Sequence, residues 1–529
     1  MDTKALRRKI LDLAIRGQLV PQDPADEPAS VLLDRIRAEK QKMVKEGKLK
    51  AKDIKNDSII FVGEDSLHYE KFADGSVKCI EDELPFELPE GWAWARLRSV
   101  IHFIRNGASI KQYGDAKGLP ITRIETIATG TIDRNRLGYA NIFEIGKYES
   151  YILKDYDILM SHINSPKHLG KCALYEHRGD EKIIHGMNLL AIRTFSCSLA
   201  KYMCIMFRCT VFKDFVWEHM KQAVNQASIT TTSISNLLFP LPPVDEQNRI
   251  ADFCDHVNKL VTAIDDNKDK IEQGISLAKS KILDLAIRGQ LVPQDPTDEP
   301  ASVLLERIRA EKEELIRQGK LKRDKKESVI FRGDDNSYYL RTGKLVESLE
   351  DWRFDALPET WELCCLGDVC DYGDCINVDT ADIADDAWIL DLEDIEKDTG
   401  AVIKKVTKAQ RSSASTKHRF YSGQVLYSKL RPYLNKVVLS DADGYCTSEI
   451  IPLKFDRCVL PEYARYYLMS PTFLAYADRC SYGVKMPRMG TADGKKAIIP
   501  LPPLVEQKRI AKTIELLFSQ LTRISEALV

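Results

Sequence analysis

The 529-residue chain has no long apolar run. Nothing approaches the roughly 20 residues that a bilayer span needs. The opening MDTKALRRKILDL is charged and amphipathic, without a signal-peptide core, so a cytoplasmic protein with no membrane partner is expected. There is no CxxC pair among its 13 cysteines, an odd count that fits reduced thiols better than a disulfide framework. The one cluster, Cys364, Cys365, Cys370 and Cys375, lacks the paired short spacings of structural zinc sites. It reads as small buried strand residues, with Cys364 and Cys365 pointing to opposite faces. His162, His168, His177 and His185 match no metal-site spacing either, and no metal site is expected. GxxxxGK[ST], which cradles nucleotide phosphates, is missing, which excludes a nucleotide-driven motor. An excess of one charge is also missing: the formal net charge is -2 with 29% charged residues. This excludes a globally basic nucleic-acid coat and leaves electrostatics to local segments.

What the chain does have is a long internal repeat. KILDLAIRGQLVPQDPADEPASVLLDRIRAEK, from Lys9 to Lys40, returns from Lys281 to Lys312, changed only at Ala25/Thr297 and Asp34/Glu306. Two shorter echoes accompany it: LPEGW (Leu88 to Trp92) with LPETW (Leu357 to Trp361), and PLPPVDEQNRIA (Pro240 to Ala251) with PLPPLVEQKRIA (Pro500 to Ala511). Between the second and third echoes the copies diverge. The chain therefore consists of two like frames holding two unlike inserts.

After the first PLPP, Ile250, Val257, Val261, Ile264, Ile271, Ile275 and Ile282 keep a heptad seam. A helix over 246–288 follows, about 43 residues or ~65 Å long at 1.5 Å per residue. Ile510, Ile514, Leu517, Leu521 and Ile524 keep the same register up to Val529, and Leu6, Ile10 and Leu13 continue it from Met1. Residues 506–529 and 1–16 are thus expected to form a second long helix, split at the chain ends. It would lie antiparallel to the first in a pseudo-twofold, circularly closed arrangement, as a spacer. Periodicity alone also fits a plain core hairpin.

In each frame, prolines end one helix and begin another, which Asp26 or Ser30 could cap and Gly47 could close. Its apolar face, Leu32, Leu33 and Ile36, recurs as Leu304, Leu305 and Ile308, with Leu315 further along the second copy. This duplicated surface is expected to dock two copies of one partner. Basic runs follow, KLKAKDIK from Lys48 and KLKRDKK from Lys320, and then SIIF or SVIF reads as a strand.

The inserts, roughly 93–239 and 362–499, align on one strand, YDILMSHINSPKHLGKC from Tyr156 with GQVLYSKLRPYLNKV from Gly423. Ser161/Ser428 and Lys171/Lys436 then fall in step. Shared apolar positions around different polar ones imply one mixed α/β fold with two different faces. The polar residues are of types that read base edges and hold phosphates. The first insert offers Lys111, Gln112, Arg123, His162, Asn164, Lys167, Gln226, Ser228, Thr230 and Thr231. The second offers Lys429, Arg431, Tyr433, Lys485, Arg488 and Lys495.

PLPPxxEQxRI, the GDIL-like strand before a polar loop, and the ILDLAIRGQLVPQDPxDEPAS frame together resemble the specificity subunit of a type I restriction-modification system, over essentially the whole chain. The resemblance implies two α/β target recognition domains joined by two long antiparallel helices. Each domain would read one half of an asymmetric bipartite site in double-stranded DNA, and the helices would set the spacer. The frames would bind two methyltransferase subunits, and two endonuclease/translocase subunits would join. Pro242, Pro243, Glu246, Gln247, Pro502, Pro503, Glu506 and Gln507 become frame residues without a catalytic role. The division would run 1–17 (half of the split helix), 18–91 (frame), 92–243 (first recognition domain), 244–289 (central helix), 290–360 (second frame), 361–503 (second recognition domain) and 504–529 (other half of the split helix). The segment from Asp23 to Glu87, with its copy, departs from some relatives.

The chain has neither the [NDS]PP[YF] motif that holds a flipped adenine nor a glycine-rich turn for S-adenosylmethionine. No cofactor is expected in it; the partners would use S-adenosylmethionine, ATP and magnesium. A stand-alone bipartite DNA-binding regulator and a coiled-coil scaffold are the alternative readings.

Overall fold

The computed structural model describes residues 2–114, 117–223, 226–319, 328–335, 337–352, 354, 357–411 and 415–528. The chain divides into two compact units, Met1–Asn267 and Lys268–Val529. The second basic run, from Lys320, falls outside the described residues. The expected long helix is present as Val244–Ile287, 44 residues, and a second helix runs over Leu504–Ala527. No helix among the described residues is long and apolar enough to cross a membrane.

In each unit the three echoes converge on one buried glutamate. In the first, Trp92 Nε1 donates to Glu246 at 2.9 Å and Gln22 Nε2 donates to its other oxygen at 2.7 Å. Gln22 also donates to the Gly17 carbonyl, and Gln247 donates to the Pro242 carbonyl. The second unit repeats this: Trp361 to Glu506 at 3.1 Å, Gln294 to Glu506 at 2.6 Å and to the Gly289 carbonyl, and Gln507 to the Pro502 carbonyl. Gly17 and Gly289 are left-handed (φ 63° and 70°), and a Cβ there would collide with Pro89 or Pro358. Only glycine meets both demands. Burial raises the pKa of Glu246 and of Glu506, opposed by the tryptophan and glutamine donors.

The frame helices Ala29–Lys45 and Ala301–Arg317 begin after Pro28 and Pro300 with no side-chain cap. Their first amides donate to the Gly91 and Thr360 carbonyls instead. Asp26, expected as a candidate cap, is held by Arg249 at 2.5 Å, as Asp298 is by Arg509. The apolar face expected to dock a partner turns inward in each unit. Ile36 and Leu305 are buried, and Leu32, Leu33, Leu304 and Ile308 pack against the same cores. Of the six expected docking positions, Ile36 and Leu305 are thus taken up by the unit's own core, while Leu32, Leu33, Leu304 and Ile308 stay half-buried at its edge.

The seam is buried at Ile250 and Val261 in the first unit and at Ile510 and Ile514 in the second. Val257, Ile275, Ile282, Leu517 and Leu521 are half-buried, while Ile264, Ile271 and Ile524 are exposed. In the first unit Arg7 ties the helix Thr3–Ile15 to the long helix through Asn258, Thr262 and Asp265. In the second, Lys279 sits 5.5 Å from the Phe518 ring.

Each frame carries a three-stranded antiparallel sheet: Ile59–Val62, His68–Lys71 and Val77–Cys79 in one; Ser328–Arg332, Tyr338–Thr342 and Leu345–Ser348 in the other. Each insert is then zipped shut by a two-stranded ribbon, Ala93–Arg96 with Leu238–Leu241 and Glu362–Cys365 with Ile498–Leu501. Cys364 and Cys365 are buried on that strand, and burial pushes both thiols up, Cys365 to about 12.

Candidate nucleic-acid interface

The two inserts are built on one scaffold. Ile158–Ser161 pairs antiparallel with Cys172–Leu174 and Leu189–Thr194, and Val425–Ser428 pairs likewise with Val437–Leu439 and Ile450–Leu453. These strands are apolar on both faces and fully buried, which suits the middle of a covered sheet. Two helices follow in each, Cys197–Met206 with Thr210–His219 and Pro461–Leu468 with Pro471–Arg479, then a β-hairpin and a short helix. In both inserts the serine ending the central strand donates its amide to the aligned lysine's carbonyl (Ser161 to Lys171, Ser428 to Lys436). Each lysine ammonium donates to an upstream carbonyl, Ala128 or Leu392. These lysines therefore fix the loop that leaves the strand. Around this shared part the inserts differ: the second adds a five-stranded sheet that includes Lys417–Phe420 and Trp388–Leu390.

In the first insert the loop after Ser161 lies beside the hairpin. Ile163–Asn164 pairs with Gln226–Ser228, and the Ile229 amide donates to the His162 carbonyl. This brings Asn164, Gln226 and Ser228 together, with exposed Lys167 on the same loop. Asn164 is oriented by its own turn, its Nδ2 donating to Ser161 Oγ and its Oδ1 accepting from the Ser165 amide. His162 is buried, and burial lowers its pKa, so the imidazole is neutral at pH 7. Thr230 caps the helix Thr231–Ser235 through the Ser233 amide, a structural use of its hydroxyl. Gln112 and Arg123 form a separate pair: Arg123 Nε donates to Gln112 Oε1 at 3.0 Å and its Nη2 to the Tyr113 carbonyl. Lys111 beside them is exposed.

In the second insert the equivalent loop runs Lys429, Leu430, Arg431 and a turn over Pro432–Leu434. Arg431 and Asn435, flanking that turn, are both left-handed (φ 50° and 49°). Such conformations cost on the order of 1–3 kcal/mol each and persist only where the surroundings enforce them. The enforcing contacts are visible: the Arg431 amide donates to the Pro487 carbonyl at 2.7 Å and the Met489 amide to the Lys429 carbonyl. The hairpin Ser481–Tyr482/Arg488–Met489 is thus fastened to the loop, which gathers Lys429, Arg431 and Arg488, with Tyr433 and Lys485 exposed beside them. Arg488 is held by Glu449 at 2.8 Å. Lys495 lies apart and exposed on the short helix Thr491–Lys496. Sequence reasoning passed over the hairpin tip, where Tyr482, Val484 and Met486 stand exposed. The only trace in the sequence is Gly483, whose φ of 100° makes the turn.

The interface thus uses one construction twice, a loop after a buried strand braced by a hairpin, with Asn, Gln and Ser in one copy and Arg, Lys and Tyr in the other. One scaffold carrying two different polar sets defines a two-module chain. The family model for the type I restriction modification DNA specificity domain matches residues 89–273 and 358–528, once in each repeat, and the chain belongs to that family. Specificity subunits are the non-catalytic parts of type I restriction-modification enzymes. The chain is similar to the EcoAI specificity subunit of Escherichia coli, 29% identical over 417 residues, which cover 70% of this chain and 62% of that one. It is also similar to the putative MjaX specificity subunit of Methanocaldococcus jannaschii, 39% identical over 179 residues, 34% of this chain and 42% of that one. The chain therefore spans less than two thirds of these relatives' lengths. A solved chain described under "Structural basis underlying complex assembly and conformational transition of the type I R-M system" shares the fold, with a TM-score of 0.50 and 17% identity, over 84% of this chain and 94% of that one.

Proposed function

We propose that this chain is the DNA-recognition subunit of a cytoplasmic type I restriction-modification complex. Each insert reads one half of an asymmetric bipartite site, and the long helices set the spacer. The frames dock two methyltransferase subunits, and two endonuclease/translocase subunits join them; S-adenosylmethionine, ATP and magnesium serve those partners. The observation that carries this reading is the pairing of one scaffold with two different polar sets. Modules meant for the same half-site would present the same residues, whereas Asn164, Gln226 and Ser228 against Lys429 and Arg431 offer different hydrogen-bond patterns to base edges. Contacts to phosphates by Lys167, Lys485 and Lys495 would orient the modules without specifying sequence. Methylome sequencing of cells expressing this chain with its methyltransferase tests the reading. Modification at an asymmetric two-part motif with a fixed gap is expected; a palindrome, or no motif, refutes it.

A further inference from the structure

We propose that the outward faces of the two small frame sheets are docking surfaces for two copies of the methyltransferase subunit, one on each. The inference rests on the function proposed above. The strand registers define these faces. Ile59 stands opposite Lys71 as Val329 stands opposite Arg341, and Phe61 stands opposite Tyr69 as Phe331 stands opposite Tyr339. On the third strand Val77 and Val346 complete the pattern against the same cations. The aromatic pairs stack alike, with ring centroids 5.9 and 5.8 Å apart.

These faces lie open. Ile59, Phe61 and Val77 are 39%, 41% and 52% exposed, and Val329 and Val346 are 39% and 51%, with Phe331 half-buried between them. The inward positions behave the other way: buried Glu70 in one sheet is buried Leu340 in the other. Packing normally restrains buried positions and leaves exposed ones free. Inward, Ile60 and Ile330 agree but buried Glu70 gives way to Leu340. Outward, the aromatic pair, the cation and the valine all persist although the support beneath them has changed, which points to something that binds the outside, once on each sheet. Both sheets also lie outside the stretches matched by the family model, 89–273 and 358–528, so they are additions to the recognition module.

The occupant follows from position and charge. Each sheet abuts the strand that opens its insert: Arg96 Nη2 donates to Glu70 Oε2 at 2.7 Å, and Ser328 Oγ lies 3.8 Å from Cys365 Sγ. A partner seated there is held beside the recognition module, as an enzyme that modifies bases within the site must be. At the rim, Asp65 and Asp335 accept hydrogen bonds from the Tyr69 and Tyr339 hydroxyls at 2.7 Å, placing a carboxylate that repels phosphate. An apolar protein patch with carboxylates to meet Lys71 and Arg341 fits better than nucleic acid.

Native mass spectrometry of the full chain with its purified methyltransferase subunit tests this. The unchanged chain should carry two copies. Phe61→Asp with Val77→Asp, or Phe331→Asp with Val346→Asp, should leave one, and all four substitutions should weaken binding by ~100-fold or more. Lys71→Glu with Arg341→Glu, which spares the apolar positions and the fold, should weaken it by ~10-fold. Two copies bound at unchanged affinity by both the four-substitution and the charge-reversed chains would overturn the proposal. So would a loss of DNA binding with methyltransferase stoichiometry intact, which would mark the faces as a nucleic-acid surface. An unchanged chain that binds no methyltransferase at all would refute the underlying reading of the subunit instead.

Discussion

The two units hold the same glutamate knot over different foundations. Beneath the first, Glu70 is 1% exposed and accepts from Arg96 at 2.7 Å, Arg98 at 3.0 Å and Ser58, while Glu83 takes a second bond from Arg96. Beneath the second, the equivalent positions are Leu340, Cys365 and Gly367, and the leucine and cysteine sit in one apolar core. A buried ion network and an apolar cluster thus stand beneath the same frame. This accords with the near balance between desolvation and Coulomb attraction for buried pairs, and with the penalty for breaking one.

The largest effect should come from breaking that network on one side. Glu70→Ala leaves half-buried Arg98 without its carboxylate and buried Arg96 with Glu83 alone, and should cost the first unit about 3–5 kcal/mol. Leu340→Ala leaves a cavity and should cost the second about 2–4 kcal/mol. Glu70→Leu with Arg96→Cys and Arg98→Gly, which copies the second unit's solution, should cost far less than Glu70→Ala. Hydrogen exchange resolved by peptide separates the units; a triple variant as unstable as the single one would break the equivalence. Acid should discriminate too. Burial opposes ionisation of Glu70, yet bonds from Arg96 and Ser58 hold its pKa below the ordinary value, and Arg134 with Tyr175 brings Glu181 down to about 2. A lowered folded-state pKa contributes stability that is complete above the unfolded value and is lost as pH falls towards the folded one. First-unit peptides should therefore lose protection ahead of those around Leu340 as pH falls below about 4.3.

The shared knot should respond equally in both units. Trp92→Phe and Trp361→Phe each remove one donor from a buried carboxylate, at about 1–3 kcal/mol. Glu246 and Glu506 already have pKa values raised by burial. A raised carboxyl favours the protonated folded form, so its contribution is greatest at low pH and is lost as pH rises through the folded value. Loss of the indole donor raises it further, and both penalties should shrink as pH falls through the raised folded-state value, which lies above the ordinary carboxyl value of about 4.3. Unequal penalties, or penalties that grow in acid, would show that the knots differ in more than sequence.

The features that were legible in the sequence are those repetition writes twice. The echoes marked every member of the knot, and heptad spacing located the helix Val244–Ile287. The repeat did not reveal direction. Leu32 and Ile36 share a helix face that pattern alone cannot assign to a partner or to the chain's own core, and the structure turns it inward. Nor do residue types show which polar groups are already engaged. Arg123 and Gln112 look like base readers but hold each other, and Arg488 is clasped by Glu449. The loop with left-handed Arg431 and Asn435 was invisible because neither residue type demands that conformation.

The smallest expected difference concerns the clasps at the rim of the knot. Arg249 grips Asp26 and Arg509 grips Asp298, both in two-pronged geometry, with the arginines about a third exposed and the aspartates nearly buried. Partial exposure screens such pairs, so Arg249→Ala and Arg509→Ala should each cost only about 0.2–1 kcal/mol. The two losses should match within ~0.3 kcal/mol and should fall together as salt rises, because ionic screening acts on charges open to solvent. The knot's glutamate, glutamines, tryptophan and glycine are duplicated, but Thr297 and Thr360 stand where the first unit has Ala25 and Gly91, and Thr360 Oγ1 donates to Gln294. A measured inequality would therefore come from these hydroxyls or from the foundations below, the Glu70 network in one unit and Leu340 in the other. The double variants Arg249→Ala with Glu70→Leu and Arg509→Ala with Leu340→Ala would then show non-additive costs, whereas independent layers would show simple sums.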